Sequence, residues 1–158
     1  MKKIILKKPG GLENLTFVDA ADCTPGFGEV CVNWKASSLN YHDLLVALGA
    51  IPVVEDQIPM SDGAGEIIAV GEGVSQWQKG DKVMSLFFPN WMNGHPTPQN
   101  TAAVTGDTIF GTATQRQCVA ATALTKMPAG YSFEQAATLP CAALTAWRGL
   151  VSEGGLKA

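Results

Sequence analysis

Residues able to do chemistry are sparse in this chain. Histidine occurs twice, at His42 and His95, and the four cysteines, Cys23, Cys31, Cys118 and Cys141, are widely separated with no CxxC pair. That spacing suggests neither a zinc knuckle nor a disulfide framework, so buried or half-buried free thiols are expected. His42 and Asp62 are metal-ligating types, but two such residues fall short of the three protein ligands a catalytic zinc needs. Asp62 opens the densest motif, Pro59 to Val83, read as PMSDGAGEIIAVGEGVSQWQKGDKV. Gly63, Gly65, Gly71, Gly73 and Gly80 surround one apolar run, Ile67 to Val70, and Asp81 follows the last glycine. Strand, tight turn, loop and a second strand from Lys82 fit this pattern. Gly65 is expected to sit where no side chain fits, and a positive φ would be one reason.

The elements that must position these residues are short. Lys3 to Lys7 and Leu15 to Ala20 read as strands around the turn Pro9-Gly10-Gly11. From Glu29 to Ala36, Val30, Val32, Trp34 and Ala36 alternate with Cys31, Asn33 and Lys35, the period of a half-buried antiparallel strand. Leu44 to Leu48 is long enough for a helical turn or two, with Gly49 as its stop. Further strands are expected at Gly65–Val70, Lys82–Phe87 and Gln117–Ala120. Many short strands with glycine turns point to a β-barrel rather than βαβ units. Phe88 to Gly111 is irregular, and a loop this long is functional or mobile. Trp91, Met92 and His95 in it are candidates for binding, or for a small cluster packed under the loop. Ser132 with Gln135 makes a capping box opening a helix through Thr138. Pro140 suits the first turn of another, Cys141 to about Ser152, whose Leu144, Trp147, Leu150 and Val151 read as a core-facing stripe.

At 158 residues the chain fits one domain, large enough to bury a core without staples. Its 46% hydrophobic and 16% charged content marks a folded chain rather than a disordered one. The net charge of −3, with no basic run, argues against nucleic acid or an anionic membrane surface as partner. No apolar stretch approaches the roughly 18 residues of a membrane span. Ile4-Ile5-Leu6 is too short for a signal-peptide core, so the cytoplasm is the default location.

Several separated motifs together resemble the GroES-like domain of medium-chain dehydrogenases/reductases, especially the zinc-independent, quinone-oxidoreductase-like branch. Ala36-Ser37-Ser38-Leu39-Asn40 followed by Asp43 is similar to the family's ASSxNxxD block at the catalytic cleft. The glycine-rich block is the strongest match. Gly111 to Val119 resembles the strand entry after the variable lobe. Leu139-Pro140-Cys141-Ala142-Ala143-Leu144-Thr145-Ala146-Trp147 resembles the LPxAxxTAW helix leading toward the nucleotide-binding domain.

The resemblance implies a mainly β (α+β) fold: a partly open GroES-like barrel over residues 1–130 and a helical extension over 131–158. It implies NADP or NAD as cofactor of a longer parent enzyme, and a small carbonyl, alcohol or quinone as substrate. Asn40, Tyr41, His42 and Asp62 would line the catalytic cleft, and Asn40 and Thr145 would approach the nicotinamide. In the zinc-dependent branch a cysteine stands at the position of Asn40 and a histidine–glutamate pair at Ser61-Asp62. Asn40 and Ser61 are poor ligands, and Phe88–Gly111 lacks the four cysteines of a structural zinc lobe, so no zinc is expected. Without zinc, charge developing on a substrate oxygen needs hydrogen-bond donors, for which Asn40, Tyr41 and His42 are the candidates. No strand–GxGxxG–helix unit occurs in these residues, so a Rossmann domain is expected to be missing and no tight cofactor binding is expected. Self-association through the surface such a domain would cover follows. The alternatives are a free-standing GroES-like binding module and one half of a split oxidoreductase.

Overall fold

The computed structural model describes residues 1–157. The first two strands, β1 (Lys2–Leu6) and β2 (Leu15–Asp19), form an antiparallel hairpin pairing Lys2 with Asp19 and Leu6 with Leu15. The remaining strands are β3 (Glu29–Ser38), β4 (Asp62–Val70), β5 (Lys82–Ser85), β6 (Arg116–Ala120) and β7 (Leu124–Lys126). They build one antiparallel sheet in the order β6-β3-β4-β5-β7. Bridges Lys3–Thr114 and Leu6–Gln57 tie the hairpin to the rest of the chain. This is the mainly β fold with short helices that the sequence implies, with its two sheets left open rather than closed into a continuous barrel.

Alternation explains β3. Val30, Val32 and Trp34 are buried with Ile67, Val83 and Leu124 in the main core, as the period of two requires. Cys31 is buried too, on the opposite face. Strand β4 starts at Asp62, three residues before the expected Gly65, because Ser38, Ser37 and Ala36 extend β3 and pair with Asp62, Gly63 and Ala64. Gly65 has no positive φ. Its constraint is a close approach: a Cβ there would lie 2.5 Å from the Asn33 carbonyl oxygen and 2.9 Å from Trp34 Cα.

Helix α1 (Tyr41–Ala47) begins three residues earlier than expected, because Asn40 caps it and the Asp43 carboxylate accepts the Asn40 N–H at 2.8 Å. Helix α2 (Phe133–Ala137) opens on the expected box. Gln135 N–H donates to Ser132 Oγ at 3.2 Å, and Ser132 N–H to Gln135 Oε1 at 2.9 Å. Ala136 and Ala137 are fully buried beside Ala64 and Met84, so α2 belongs to the sheet's core. A final helical run follows, Leu139 to Glu153, wide-turned at both ends around α3 (Leu144–Trp147). The expected core-facing stripe is corrected here: Leu144, Trp147 and Leu150 are each more than half exposed. Among the described residues, Leu144 and Trp147 instead line a cavity shared with Phe88, Trp91 and Met92. No helix among the described residues is long and apolar enough to cross a membrane.

Candidate functional site

The site is built where β3 hands over to α1 and β4 begins. Asp43, on the first turn of α1, is almost fully buried. Its Oδ1 accepts the Ser61 N–H at 2.9 Å, and its Oδ2 accepts the Asn40 N–H at 2.8 Å and the Ser61 hydroxyl at 3.3 Å. One carboxylate thus staples the Asn40 turn to the strap before β4. The strap is held from other sides as well. Ser85 Oγ accepts the Gly63 N–H at 2.9 Å and donates to the Ser61 carbonyl at 3.0 Å, while the Ser37 hydroxyl donates to the Asp62 carbonyl. Met60, next to Ser61, holds φ at +76°, a conformation costly for a side-chain-bearing residue and kept only where the surroundings dictate it.

Asp62 is fully buried. Its Oδ2 accepts the Cys141 N–H at 3.0 Å, whereas Oδ1 has no hydrogen-bond partner. Burial raises its pKa above the ordinary carboxylate value; the Asn40 amide and the Cys141 N–H oppose that rise, and the nearby Asp43 charge adds to it. The Cys141 thiol is pushed up as well, by burial first and then by Asp62 and Asp43. Asn40 is half-buried, and its Nδ2 donates to Ser61 Oγ at 3.0 Å. Thr145 lies one helical turn beyond Cys141, with its hydroxyl close enough to lower the pKa of that thiol. Asn40, Asp62 and Thr145 are therefore joined through Ser61 and Cys141 into one connected set.

The other two named residues stand apart from that set. Tyr41 is 75% exposed at the start of α1. His42 is half-buried, its Nε2 3.2 Å from Asp107 Oδ2 and its ring edge-on to Phe87 with centroids 5.3 Å apart. Asp107 is buried and was missed by sequence reasoning, because no spacing rule links positions 65 residues apart. Cys141 and Ser61 were likewise not singled out as site residues.

Beside this set opens a cavity of about 640 Å³, in the range of small-molecule sites. Phe87 lines it together with Phe88, Trp91 and Met92 of the long loop and Cys141 and Thr145 of the final helix. The loop's aromatics stack edge-on in sequence, Phe87 on Phe88 at 4.8 Å, and Arg148 lies 4.8 Å over the Trp91 ring. Trp91 packs against Phe88 and Arg148, whereas Met92 is exposed; both line the cavity. His95 is solvent-exposed and is not part of the cavity wall.

Among the described residues, one group of three ligating side chains has its donor atoms close together, and it is not in the cleft. It consists of Cys23, Cys31 and Cys118. The wide spacing of the cysteines therefore misled: strand pairing brings three of them together. At the cleft, Asn40 and Ser61 hydrogen-bond to each other, and neither is a good zinc ligand.

Residues 26–129 match the alcohol dehydrogenase GroES-like domain family. The zinc-type alcohol dehydrogenase-like protein of Schizosaccharomyces pombe is 46% identical over 125 residues, covering 78% of this chain and 36% of that protein. The solved structure of an NAD-dependent alcohol dehydrogenase superposes with a TM-score of 0.84 at 29% identity, over 99% of this chain and 48% of that one. Escherichia coli quinone oxidoreductase, solved with NADPH, gives 0.76 at 25% identity, over 97% and 41%. The chain thus spans less than half the length of these relatives, in their N-terminal part. The chain belongs to the alcohol dehydrogenase GroES-like domain family of the medium-chain dehydrogenase/reductase superfamily.

Proposed function

We propose that this chain is the substrate side of a zinc-independent, NAD(P)H-dependent oxidoreductase whose hydride acceptor is a quinone or an α,β-unsaturated carbonyl. The observation that carries the reading is the pairing of Asn40 with Ser61, which Asp62 and Cys141 connect to an aromatic-walled cavity. Neutral donors occupy the place where a catalytic zinc would need ligands. Hydride addition to such acceptors gives a delocalised phenolate or enolate, which hydrogen-bond donors can stabilise without a Lewis acid. Asn40 Nδ2 is the donor the connected set offers; His42 beside Asp107 and the exposed Tyr41 are the second line. Asp62, its pKa raised by burial and its Oδ1 unpartnered, holds the Cys141 turn in place through Oδ2. When bound, the nicotinamide supplies the hydride; Thr145 and Asn40 position it against the cavity.

The exposed Leu144–Trp147–Leu150 face is the surface on which a nucleotide-binding domain would rest, and residues 131–158 are its connection. Left uncovered, that face favours self-association. The chain alone holds too few cofactor contacts to offset the entropy of ordering a dinucleotide, so NADPH binding weaker than about 1 mM is expected. The test joins this chain to a nucleotide-binding domain of the superfamily and follows NADPH absorbance with a naphthoquinone, an enone and a simple alcohol with NADP. Turnover with the first two and not the third supports the reading; turnover confined to the alcohol overturns it.

A further inference from the structure

A second cluster of reactive side chains lies away from the cleft. Cys31 on β3 and Cys118 on β6 are direct partners in the strand register. Cys23, in the segment before β3, brings its Sγ to 3.4 Å from Cys31 Sγ. All three sulfurs lie within 4.8 Å of one another, and all are free thiols. Cys31 is separated from Ser38, at the cleft end of β3, by seven residue steps, roughly 23 Å at about 3.3 Å per step. The cluster therefore serves nothing in the cleft, and its sulfurs lie on the face of β3 opposite the Val30 and Val32 core.

We propose that Cys23, Cys31 and Cys118 form a three-thiolate site for a soft d¹⁰ cation, and that monovalent copper is the ion it fits. The donor set decides the class. Thiolates select copper(I), zinc or iron–sulfur clusters, and no histidine or carboxylate is part of this group to attract a harder ion. Coordination number then decides the ion. Structural zinc takes four protein ligands, and only three are offered, whereas copper(I) is content with three sulfurs in a plane. At a metal–sulfur distance of about 2.3 Å, three such sulfurs stand about 4 Å apart, so closure needs side-chain adjustments of well under 1 Å. Half-buried Cys23 and Cys118 give an ion access. Arg116, two residues before Cys118 on the same strand, offsets the thiolate charge at Cys31 and is itself anchored to Asp22 at 2.7 Å.

Burial first, then contact with Cys23, pushes the Cys31 thiol up to about 11, and Cys118 is raised further by burial and by the same neighbours. Binding is a proton exchange with no redox change: one copper(I) ion replaces three S–H protons, leaving a Cu(SR)₃ centre of charge −2 and three protons in solution.

The test titrates the reduced protein anaerobically with copper(I) acetonitrile complex against bathocuproine disulfonate, reading near-ultraviolet sulfur-to-copper charge transfer and proton release. One copper per chain, retained against the chelator and accompanied by proton release, is the expected result. Cys23→Ser and Cys118→Ser should each weaken binding by at least about 100-fold while circular dichroism stays unchanged, and Cys141→Ser should bind normally. Because Cys31→Ser disturbs a buried position, the inference does not depend on that variant. Copper lost entirely to the chelator, copper retained by Cys23→Ser and Cys118→Ser, or zinc winning a direct competition would each overturn the assignment. So would mild oxidation that yields a Cys23–Cys31 disulfide in a protein that retains no copper.

Discussion

Gly65→Ala tests the packing that places the strap. Gly65 pairs with Trp34 at the point where the β3–β4 register slips between Trp34 and Ala36. An alanine Cβ would stand 2.5 Å from the Asn33 carbonyl oxygen, 2.9 Å from Trp34 Cα and 3.0 Å from the Asn33 carbonyl carbon. All three are backbone atoms of a central strand, so no side chain can swing aside. Overpacking of this kind costs about 1–3 kcal/mol, and the upper half applies where only backbone can yield. Against it stands a gain of about 0.4–1 kcal/mol from the stiffer unfolded chain. The net loss is about 2 kcal/mol, which at a urea m-value of about 2 kcal/mol/M lowers the midpoint by about 1 M. Gly149→Ala is the internal control. No atom lies within 4 Å of its added Cβ and its φ is not positive, so the midpoint should hold or rise. Urea melts followed by tryptophan fluorescence give both numbers. Equal midpoints for the two variants would show that the close approach is not a constraint.

Asp43→Ala removes the acceptor of the Asn40 N–H, the Ser61 N–H and the Ser61 hydroxyl, and should cost about 3 kcal/mol in the same melts; a loss under about 1 kcal/mol would mean the strap is held without it. Asp62→Asn addresses the raised carboxyl: the folded chain keeps that proton to higher pH than the unfolded chain, so this group's contribution is full at acid pH and is lost as pH rises through the folded pKa. The asparagine variant cannot ionise, so its stability relative to the parent should climb as pH rises above the ordinary Asp pKa of about 3.9; a flat or falling difference would contradict the direction of the shift. Ser132→Ala opens the capping box at α2 and should cost about 1 kcal/mol, with Ser132→Asp restoring most of it.

Local chemistry was readable from the sequence where it depends on neighbours in the chain. The alternation of Val30, Val32 and Trp34 predicts β3 because period two reports the pleat directly, and Ser132 with Gln135 predicts the start of α2 because a cap needs only three residues. The Asn40–Asp43 turn and the Asp62 strap were found through resemblance, not through spacing. What could not be read rests on pairings distant in sequence. His42 meets Asp107, and Cys31 meets Cys118, only because the long loop folds back and β6 lies beside β3. Strand β7 escaped notice because three residues between turns carry no period. The Leu144–Trp147–Leu150 stripe was read as core because helical spacing reports that a face is apolar, not what covers it.

The zinc-independent cleft is tested most directly by metal dependence of turnover. The chain joined to a nucleotide-binding domain is stripped with a strong chelator, checked for residual zinc by elemental analysis, and assayed with NADPH and a naphthoquinone before and after zinc is returned. Full quinone turnover by the stripped enzyme, unchanged by added zinc, is what neutral donors at Asn40 and Ser61 predict. Activity that disappears on stripping and returns with one zinc per chain would contradict it.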